Sequence, residues 1–318
     1  MTNVLVLETH ADAYAAILQE RFSDLEVQVA RSQSDDHVDY GKVEVLIAFG
    51  LGITEALFTR MPKLKWVQSL ATGVDYFLRN KTLAQHVLLT SGRGIHGPPL
   101  RETVLHLMLS ISHDSNGLVR DKTSRRWDRR AWPLLAGKTA VVVGTGVAGA
   151  AIGYLLKAMD MRVIGVSQTP RTVPGFDEVV PRRELPNVAA AADYVINVLP
   201  GDVANRKIVD GNVFAHMKPS AYFINVGRGD TVDEQAMIRA LRERDIAGAG
   251  LDVFTTEPLP GESPLWDLPN VFMSPHVGGL FTEYQQMAMP LIIRNMTAYL
   301  ADRLDQMTNV IDRSGNAT

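Results

Sequence analysis

The sequence predicts an α/β fold in which parallel strands are covered by helices on both faces. Short apolar runs recur along the chain without polar alternation, and most are separated by stretches with the spacing of amphipathic helices. Both features are typical of strands buried on two sides of a parallel sheet. In chain order, the predicted strands are residues 4–7, 43–49, 64–70, 87–90, 140–143, 162–167, 194–199, 221–225, 246–251 and 271–274.

This number of strands predicts two domains. A single ordinary sheet holds fewer, and a chain of 318 residues accommodates two domains of roughly 100–200 residues. Two long amphipathic helices mark places where the chain can cross between the domains. The first starts at Pro98-Pro99, because proline favours a helix start, and its apolar stripe is Leu100, Val104, Leu107 and Ile111. The stripe of the second is Tyr284, Met287, Leu291, Met296 and Leu300.

Charge and composition exclude several classes of function. The chain has 32 Lys and Arg against 35 Asp and Glu, a net charge of −3 at pH 7, so there is no electrostatic case for a nucleic-acid partner. The absence of cysteine excludes disulfides and thiolate chemistry, and His10 and His37 lack metal-ligand spacing, so we predict no metal. No run reaches the roughly 18 apolar residues of a membrane span. We expect no membrane partner and a cytoplasmic location.

A glycine-rich loop indicates a dinucleotide site. The strand that ends at Val143 leads directly into Gly144-Thr145-Gly146-Val147-Ala148-Gly149, then into a helical segment and a second strand, residues 162–167. In such a unit the first glycine allows the turn, the second lets a pyrophosphate approach the backbone, and the third lets the helix pack closely. The helix N-terminus then faces the anion. We assign all six residues to cofactor binding.

The end of the second strand favours NADP over NAD. An acidic residue about 20 positions after the glycine loop would bind the ribose 2′-OH of NAD, but Ser167, Gln168 and Arg171 stand here and the first carboxylate is Asp177. A carboxylate would repel a 2′-phosphate, whereas Ser167 can donate a hydrogen bond and Arg171 charge-assisted ones. The alternative is that Arg171 is an ordinary solvated cation.

Three later segments each place a side chain suited to catalysis just after a predicted strand. They carry Arg228, Glu257 and His276. In open α/β sheets ligands bind outside the carboxyl ends of the strands, so we expect the three side chains to converge. Taken singly, they could be a surface cation, a turn residue and a loop histidine, but their joint placement favours an active site.

These motifs, in this order, resemble the D-isomer-specific 2-hydroxyacid dehydrogenase family, and within it the glyoxylate/hydroxypyruvate reductase-like branch. The segments that carry the resemblance are Gly144 to Gly149, Asn225-Val-Gly-Arg-Gly229, Val232-Asp-Glu234, Leu251-Asp-Val-Phe254, Glu257-Pro-Leu-Pro260, Pro264-Leu-Trp266 and Pro275-His276. Near the N-terminus, Leu70-Ala-Thr-Gly-Val-Asp75 and Ser91-Gly-Arg-Gly-Ile-His-Gly-Pro98 are similar to the family's substrate loop and the approach to its interdomain helix.

The resemblance implies a role for each catalytic candidate. Arg228 would bind the substrate carboxylate and polarise the 2-keto oxygen. His276 would give that oxygen a proton during reduction and take it back during oxidation. Glu257 would orient the imidazole and favour its charged form.

The resemblance also implies the binding residues. The substrate would be held by Arg228, His276 and the backbone of Ala71, Thr72, Gly73 and Val74. Further cofactor contacts would come from Leu199, Pro200, Val226, Gly227, Asp252 and Gly278. Where the family often has Pro-Leu-Thr-Pro-Glu-Thr, this chain reads Pro200-Gly-Asp-Val-Ala-Asn205.

The implied fold consists of two doubly wound parallel-sheet domains. A flavodoxin-like substrate domain would comprise residues 1–98 and 281–318, and a Rossmann cofactor domain residues 99–280. The family further implies a homodimer. We expect the chain after Met307 to be frayed.

Two other functions compete with a reductase of small 2-oxo acids that uses NADP, or else NAD. One is a dinucleotide-sensing binding protein of the same fold with little catalysis, which loss of the Arg, Glu and His set would favour. The other is a formate dehydrogenase-like enzyme, in which the histidine would pair with Gln. Glu257 counts against the second.

Overall fold

The structure is a computed structural model that describes residues 1–313. The described residues form twelve strands and ten α-helices. The strands are β1 (Thr2–Leu7), β2 (Leu25–Ala30), β3 (Val45–Ala48), β4 (Trp66–Ser69), β5 (Leu88–Thr90), β6 (Thr139–Val143), β7 (Arg162–Ser167), β8 (Glu178–Pro181), β9 (Tyr194–Asn197), β10 (Tyr222–Asn225), β11 (Gly248–Leu251) and β12 (Val271–Met273). The helices are α1 (Ala11–Arg21), α2 (Glu55–Thr59), α3 (Asp75–Leu78), α4 (Gly97–Ser112), α5 (Ser115–Thr123), α6 (Val147–Ala158), α7 (Leu185–Ala191), α8 (Gly211–His216), α9 (Glu234–Glu243) and α10 (Tyr284–Leu300).

The chain folds into two compact units. The first consists of Met1–Ile95 together with the chain from Thr282 onward, and the second is His96–Phe281. Residues 314–318, which the predicted substrate domain includes, lie outside the described residues.

The first unit has a five-stranded parallel sheet in the order β2-β1-β3-β4-β5. This is the doubly wound order of flavodoxin-like folds. Strands β1 and β3 lie inside the sheet, and Leu5, Leu46 and Val67 are fully buried in the core on one face. The expected flavodoxin-like fold is confirmed.

The second unit has a seven-stranded parallel sheet in the order β8-β7-β6-β9-β10-β11-β12. Its first six strands follow the Rossmann order, with β6 and β9 at the point where the order reverses. Successive residues of β6 point to opposite faces: Val141 and Val143 join one apolar core, whereas Ala140 and Val142 join the core under α4 and α6. Burial on both faces explains the continuous apolar run and confirms the predicted Rossmann fold.

Two strands were missed by the sequence prediction, β2 and β8. Both lie at the edge of their sheet and carry polar residues, as LEVQVA and EVVP. In β2 only Leu25 and Ala30 are buried. A search for continuous apolar runs therefore overlooks these two polar edge strands, although it detects the apolar edge strands β5 and β12.

The expectation that the chain frays after Met307 is wrong for residues 308–313. Val310 forms an antiparallel bridge with Thr90, and the N–H of Ile311 donates to the carbonyl of Leu89 at 2.9 Å. The side chain of Asn309 donates to the carbonyls of Ser91 and Arg93, at 3.2 and 2.7 Å. This segment therefore covers the edge of β5, where strand backbone would otherwise lack partners.

A buried amide attaches this segment to α10. Asn295 is fully buried and donates to Gln68 Oε1 at 2.9 Å and to the carbonyl of Thr308 at 3.1 Å. Its Oδ1 accepts from the N–H and the hydroxyl of Thr308, at 2.8 and 3.0 Å. All four bonding positions of the amide are thus used.

Asn295→Ala should lower the free energy of unfolding by about 2–4 kcal/mol, because it leaves several buried polar partners unsatisfied. Chemical denaturation measures the change. Thr297→Ala is the matched control, since Thr297 is exposed on the same helix and bonds only within it. Equal stability of the two variants would contradict the account of this network.

Candidate active site

The glycine loop has the geometry that a dinucleotide requires. Gly144 has φ of +111°, which favours glycine. A Cβ on Gly149 would lie 1.9 Å from the carbonyl oxygen of Gly144, so only glycine lets α6 approach the strand this closely. A Cβ on Gly146 would meet nothing within 4 Å, which leaves its backbone open to a ligand.

The N-terminus of α6 fits an anion. Gly146 is the N-cap without a side-chain hydrogen bond, and the first turn, which includes Val147 and Ala148, has no acidic residue. Its free N–H groups and the helix dipole favour a pyrophosphate. Thr145 is buried beside this turn, 8% exposed, and a Cβ on Gly165 of β7 would lie 2.7 Å from its methyl group. These residues fit a bound dinucleotide.

The end of β7 is free of carboxylates from its own segment. Ser167 is half-buried and donates to the carbonyl of Thr169 at 3.2 Å, and both Gln168 and Arg171 are exposed. The first acid, Asp177, accepts from the N–H of Val163 at 2.7 Å. It therefore lies at the opposite end of β7.

The loop after β9 packs against the glycine loop. A Cβ on Gly144 would lie 3.2 Å from both Leu199 and Val198. Leu199 is buried and Pro200 is exposed. Asn205 is buried and donates to the carbonyl of Pro200 at 3.0 Å, which closes the loop on itself.

Arg228 stands between two glycines that bring neighbouring loops together. A Cβ on Gly227 would lie 2.5 Å from the carbonyl oxygen of Leu199, after β9, and one on Gly229 would lie 2.0 Å from the carbonyl carbon of Phe254, after β11. The guanidinium donates to the carbonyl of Gly227 at 2.9 Å. Val226, before this turn, is buried.

Beneath Arg228 lies a buried polar network. Asn197, at the end of β9, donates to Asn225 Oδ1 at 2.9 Å and to Thr231 at 2.7 Å. The hydroxyl of Thr231 in turn donates to the carbonyl of Arg228 at 2.6 Å. The network fixes the backbone that carries the arginine.

Glu257 and His276 form a direct pair. Nδ1 of His276 lies 2.6 Å from Oε2 of Glu257, and Oε1 of Glu257 accepts from the N–H of Phe254 at 2.9 Å. Burial opposes ionisation of Glu257, but the bonds from His276 and Phe254 and the charge of Arg228 outweigh it and lower its pKa. The carboxylate is therefore ionised at neutral pH, so Nδ1 of His276 is the donor. All three catalytic candidates thus lie together.

Asp252 holds the turn that carries His276. It is 1% exposed, and its Oδ1 accepts from Ser274 Oγ at 2.6 Å and from the N–H of Val277 at 3.0 Å. Its Oδ2 accepts from the N–H of Gly278 at 2.9 Å. His276 has φ of +53°, a conformation that costs energy and persists when surrounding bonds fix it.

Sequence reasoning missed this structural role of Asp252, as well as the network of Asn197, Asn225 and Thr231. The available signal was a polar residue at the end of an otherwise apolar strand. Gly278 also has a steric reason to be glycine, because a Cβ there would lie 2.7 Å from Oδ2 of Asp252.

The predicted substrate loop lies in the first unit, after β4. The N–H of Ala71 donates to Ser69 Oγ at 3.1 Å, and its carbonyl accepts from Gly92 N–H at 2.8 Å. Thr72 and Gly73 follow, and Val74 is the N-cap of α3. The loop stands at the carboxyl edge of its sheet, where parallel sheets bind ligands.

Residues 1–313 show neither a metal-binding cluster nor a membrane-spanning helix. They contain no group of three His, Asp or Glu side chains placed to hold a metal ion. No helix in the same range is both long and apolar enough to cross a membrane.

Known proteins are similar to this chain over most of its length. The family model for the NAD binding domain of D-isomer specific 2-hydroxyacid dehydrogenases matches residues 105–278. Glyoxylate/hydroxypyruvate reductase B of Klebsiella pneumoniae subsp. pneumoniae is 31% identical over 317 residues, which cover 96% of this chain and 95% of that protein.

Solved structures extend the similarity to the whole fold. A D-isomer specific 2-hydroxyacid dehydrogenase family protein from Aeromonas salmonicida is 31% identical with a TM-score of 0.90, covering 98% of this chain and 99% of that one. A D-isomer specific 2-hydroxyacid dehydrogenase from Xanthobacter autotrophicus, in complex with NADPH and MES, is 30% identical with a TM-score of 0.84 and 99% coverage of both chains. The resemblance is confirmed, and the chain belongs to the D-isomer specific 2-hydroxyacid dehydrogenase family.

Proposed function

We propose that this protein is an NADPH-preferring reductase of small 2-oxo acids such as glyoxylate or hydroxypyruvate, which it converts to 2-hydroxy acids of the D series where C2 is chiral. The single observation that carries the proposal is the 2.6 Å pair of Glu257 and His276, at the same sheet edge as the glycine loop. The Klebsiella reductase, 31% identical to this chain, supports the substrate class.

The net reaction takes up one hydride and one proton. A bound nicotinamide dinucleotide supplies the hydride to C2 of the 2-oxo acid. Arg228 binds the substrate carboxylate through its planar fork and stabilises the negative charge that develops on the 2-keto oxygen.

His276 delivers the proton to that oxygen. Its Nδ1 is engaged by Glu257, so Nε2 is the atom that faces the substrate as general acid. The ionised carboxylate of Glu257 accepts from Nδ1–H and fixes the orientation of the ring. In the reverse reaction Nε2 takes the proton back.

The end of β7 supports the preference for NADPH over NADH. Residues 167–176, which follow the end of β7, contain no carboxylate that could bind a ribose 2′-OH. Ser167 and Arg171 can donate hydrogen bonds to a 2′-phosphate. The Xanthobacter relative, which was solved with NADPH, agrees with this assignment. Pyrophosphate binding is assigned to residues 144–149, with the remaining cofactor contacts as predicted from the sequence.

We further propose that Ala71 to Val74 take part in substrate binding, that the protein is a homodimer and that it is cytoplasmic. The position of the loop at a carboxyl sheet edge supports the first proposal. Exposed apolar side chains in the second unit support a second copy as partner: Val119 is 63% exposed, Trp127 91% and Leu134 75%. The cysteine-free composition is compatible with a cytoplasmic location.

The alternative of a dinucleotide-sensing binding protein is not favoured. Such a protein has no need of an acid–base pair, whereas here Glu257 is ionised, oriented by a backbone N–H and bonded to His276. The same pair also counts against a formate dehydrogenase-like enzyme.

The proposal is tested by the initial rates at which glyoxylate and hydroxypyruvate are reduced with NADPH and with NADH. The loss of nicotinamide absorbance measures these rates. We expect turnover with NADPH favoured. His276→Ala should lower kcat by about 10²- to 10⁴-fold, because it removes the general acid, and leave the Kd of NADPH nearly unchanged. His216→Ala is the control, since His216 is exposed on α8 and bonds to Asn212 of the same helix. Absence of turnover with any small 2-oxo acid, despite NADPH binding, would refute the reductase.

Asp252→Asn tests whether this residue positions His276. An amide has only one acceptor oxygen, so at least one of the three donors loses its partner, at a cost of about 1–3 kcal/mol in the free energy of unfolding. We expect kcat to fall by between about tenfold and 100-fold, with a much smaller change in the Kd of NADPH. Asp267→Asn, at an exposed site, is the control. Weakened NADPH binding at unchanged stability would instead favour the direct cofactor contact that the family resemblance implies.

A further inference from the structure

Arg182 stands at the sheet edge where the adenosine end of the cofactor is expected. Strands β7 and β8 are paired in register, with Ser167 opposite Pro181, and Arg182 is the next residue. Neighbouring strands lie about 4.8 Å apart, so the backbone of Arg182 starts close to the end of β7. The inference below rests on the proposed preference for NADPH.

The guanidinium of Arg182 reaches the loop after β9. Nη1 donates to the carbonyl of Ala204 at 3.1 Å, and Nη2 donates to the side-chain oxygen of Asn205. Asn205 donates in turn to the carbonyl of Pro200, at 3.0 Å. Arg182 is thereby held over the carboxyl edge, attached to the loop that packs on Gly144.

The charges of this part of the sheet are sorted between its two edges. Asp177 pairs with Lys157 at 2.8 Å, and Glu178 with Arg162 at 3.6 Å. Glu178 begins β8 and Arg162 begins β7, so both ion pairs lie at the amino edge. The same segment presents Arg182 at the carboxyl edge, about 13 Å from Glu178 along the direction of β8.

The positive charge of Arg182 is not neutralised by a neighbour. Its hydrogen bonds go to a carbonyl and an amide oxygen, and within residues 1–313 it has no ion-pair partner. Arg183, the next residue, is paired with Glu184 at 3.6 Å. The carboxylate of Asp202 caps its own turn by accepting from Ala204 N–H at 3.0 Å.

We propose that Arg182 is a specificity-determining residue for NADPH, in addition to Ser167 and Arg171. Its guanidinium is fixed by neutral acceptors and keeps its full charge for the dianionic 2′-phosphate. It acts through space as a local positive potential, and NADH, which lacks the phosphate, gains little from it.

Calorimetric titration with NADPH and with NADH at low salt tests the proposal on the whole protein without substrate. We expect Arg182→Gln to reduce the ratio of the NADH Kd to the NADPH Kd by about fivefold. Arg182→Lys should keep the ratio within about twofold of wild type, because it retains the charge, and high salt should diminish the effect of Arg182→Gln. Arg183→Gln is the matched control, since its charge is already paired.

A purely structural role predicts a different pattern. If Arg182 only holds the loop of Asn205, Arg182→Gln and Arg182→Lys should weaken NADPH and NADH equally, and this result would overturn the inference. Ser167→Asp separates it from the underlying cofactor assignment. If wild type prefers NADPH and Ser167→Asp removes that preference while Arg182→Gln leaves it intact, the assignment stands and only the inference fails. Equal binding of the two cofactors by wild type would overturn both.

Discussion

The candidate site of the second unit depends on one constraint, that the parallel strands of its sheet all end at the same edge. The glycine loop follows β6, Arg228 follows β10, Glu257 follows β11 and His276 follows β12. Gly227 and Gly229 let these loops pack within distances that any Cβ would prevent. Residues far apart in sequence therefore lie close together at this edge, and each stands on a short loop whose start is fixed by a strand of the sheet.

Two carboxylates position the imidazole of His276. The oxygens of Asp252 accept hydrogen bonds from three donors of the turn that follows β12, and these bonds hold the backbone of His276 at positive φ. Glu257 uses one oxygen on a backbone N–H and the other on the ring. The pKa of Glu257 is lower in the folded protein than its ordinary value. The stabilisation that the ionised carboxylate adds to the free energy of unfolding is therefore present above the ordinary pKa and is lost as the pH falls through the pKa of the folded state.

The sequence was sufficient to predict a structural feature where only one residue type can fill the position, or where the pattern of residue types has one structural meaning. Gly144 and Gly149 predicted the cofactor loop because only glycine fits there, and apolar runs predicted the interior strands. Edge strand β8 and the pairing of Val310 with Thr90 were missed, because polar edges and short tails have no periodicity. A single sequence does not contain the three-dimensional contacts between distant segments. The role of Asp252 in the turn of His276 depends on such contacts, and so do the hydrogen bonds from the Arg182 guanidinium to the loop after β9.

The most direct test of hydride transfer is to follow the atom itself. Glyoxylate or hydroxypyruvate is reduced with NADPH that carries deuterium at both C4 positions of the nicotinamide, and the product is examined by mass spectrometry and NMR. The account predicts one deuterium per product molecule, bound to C2, together with a hydroxyl proton taken from solvent. A product without deuterium at C2, or the absence of any product, would contradict it.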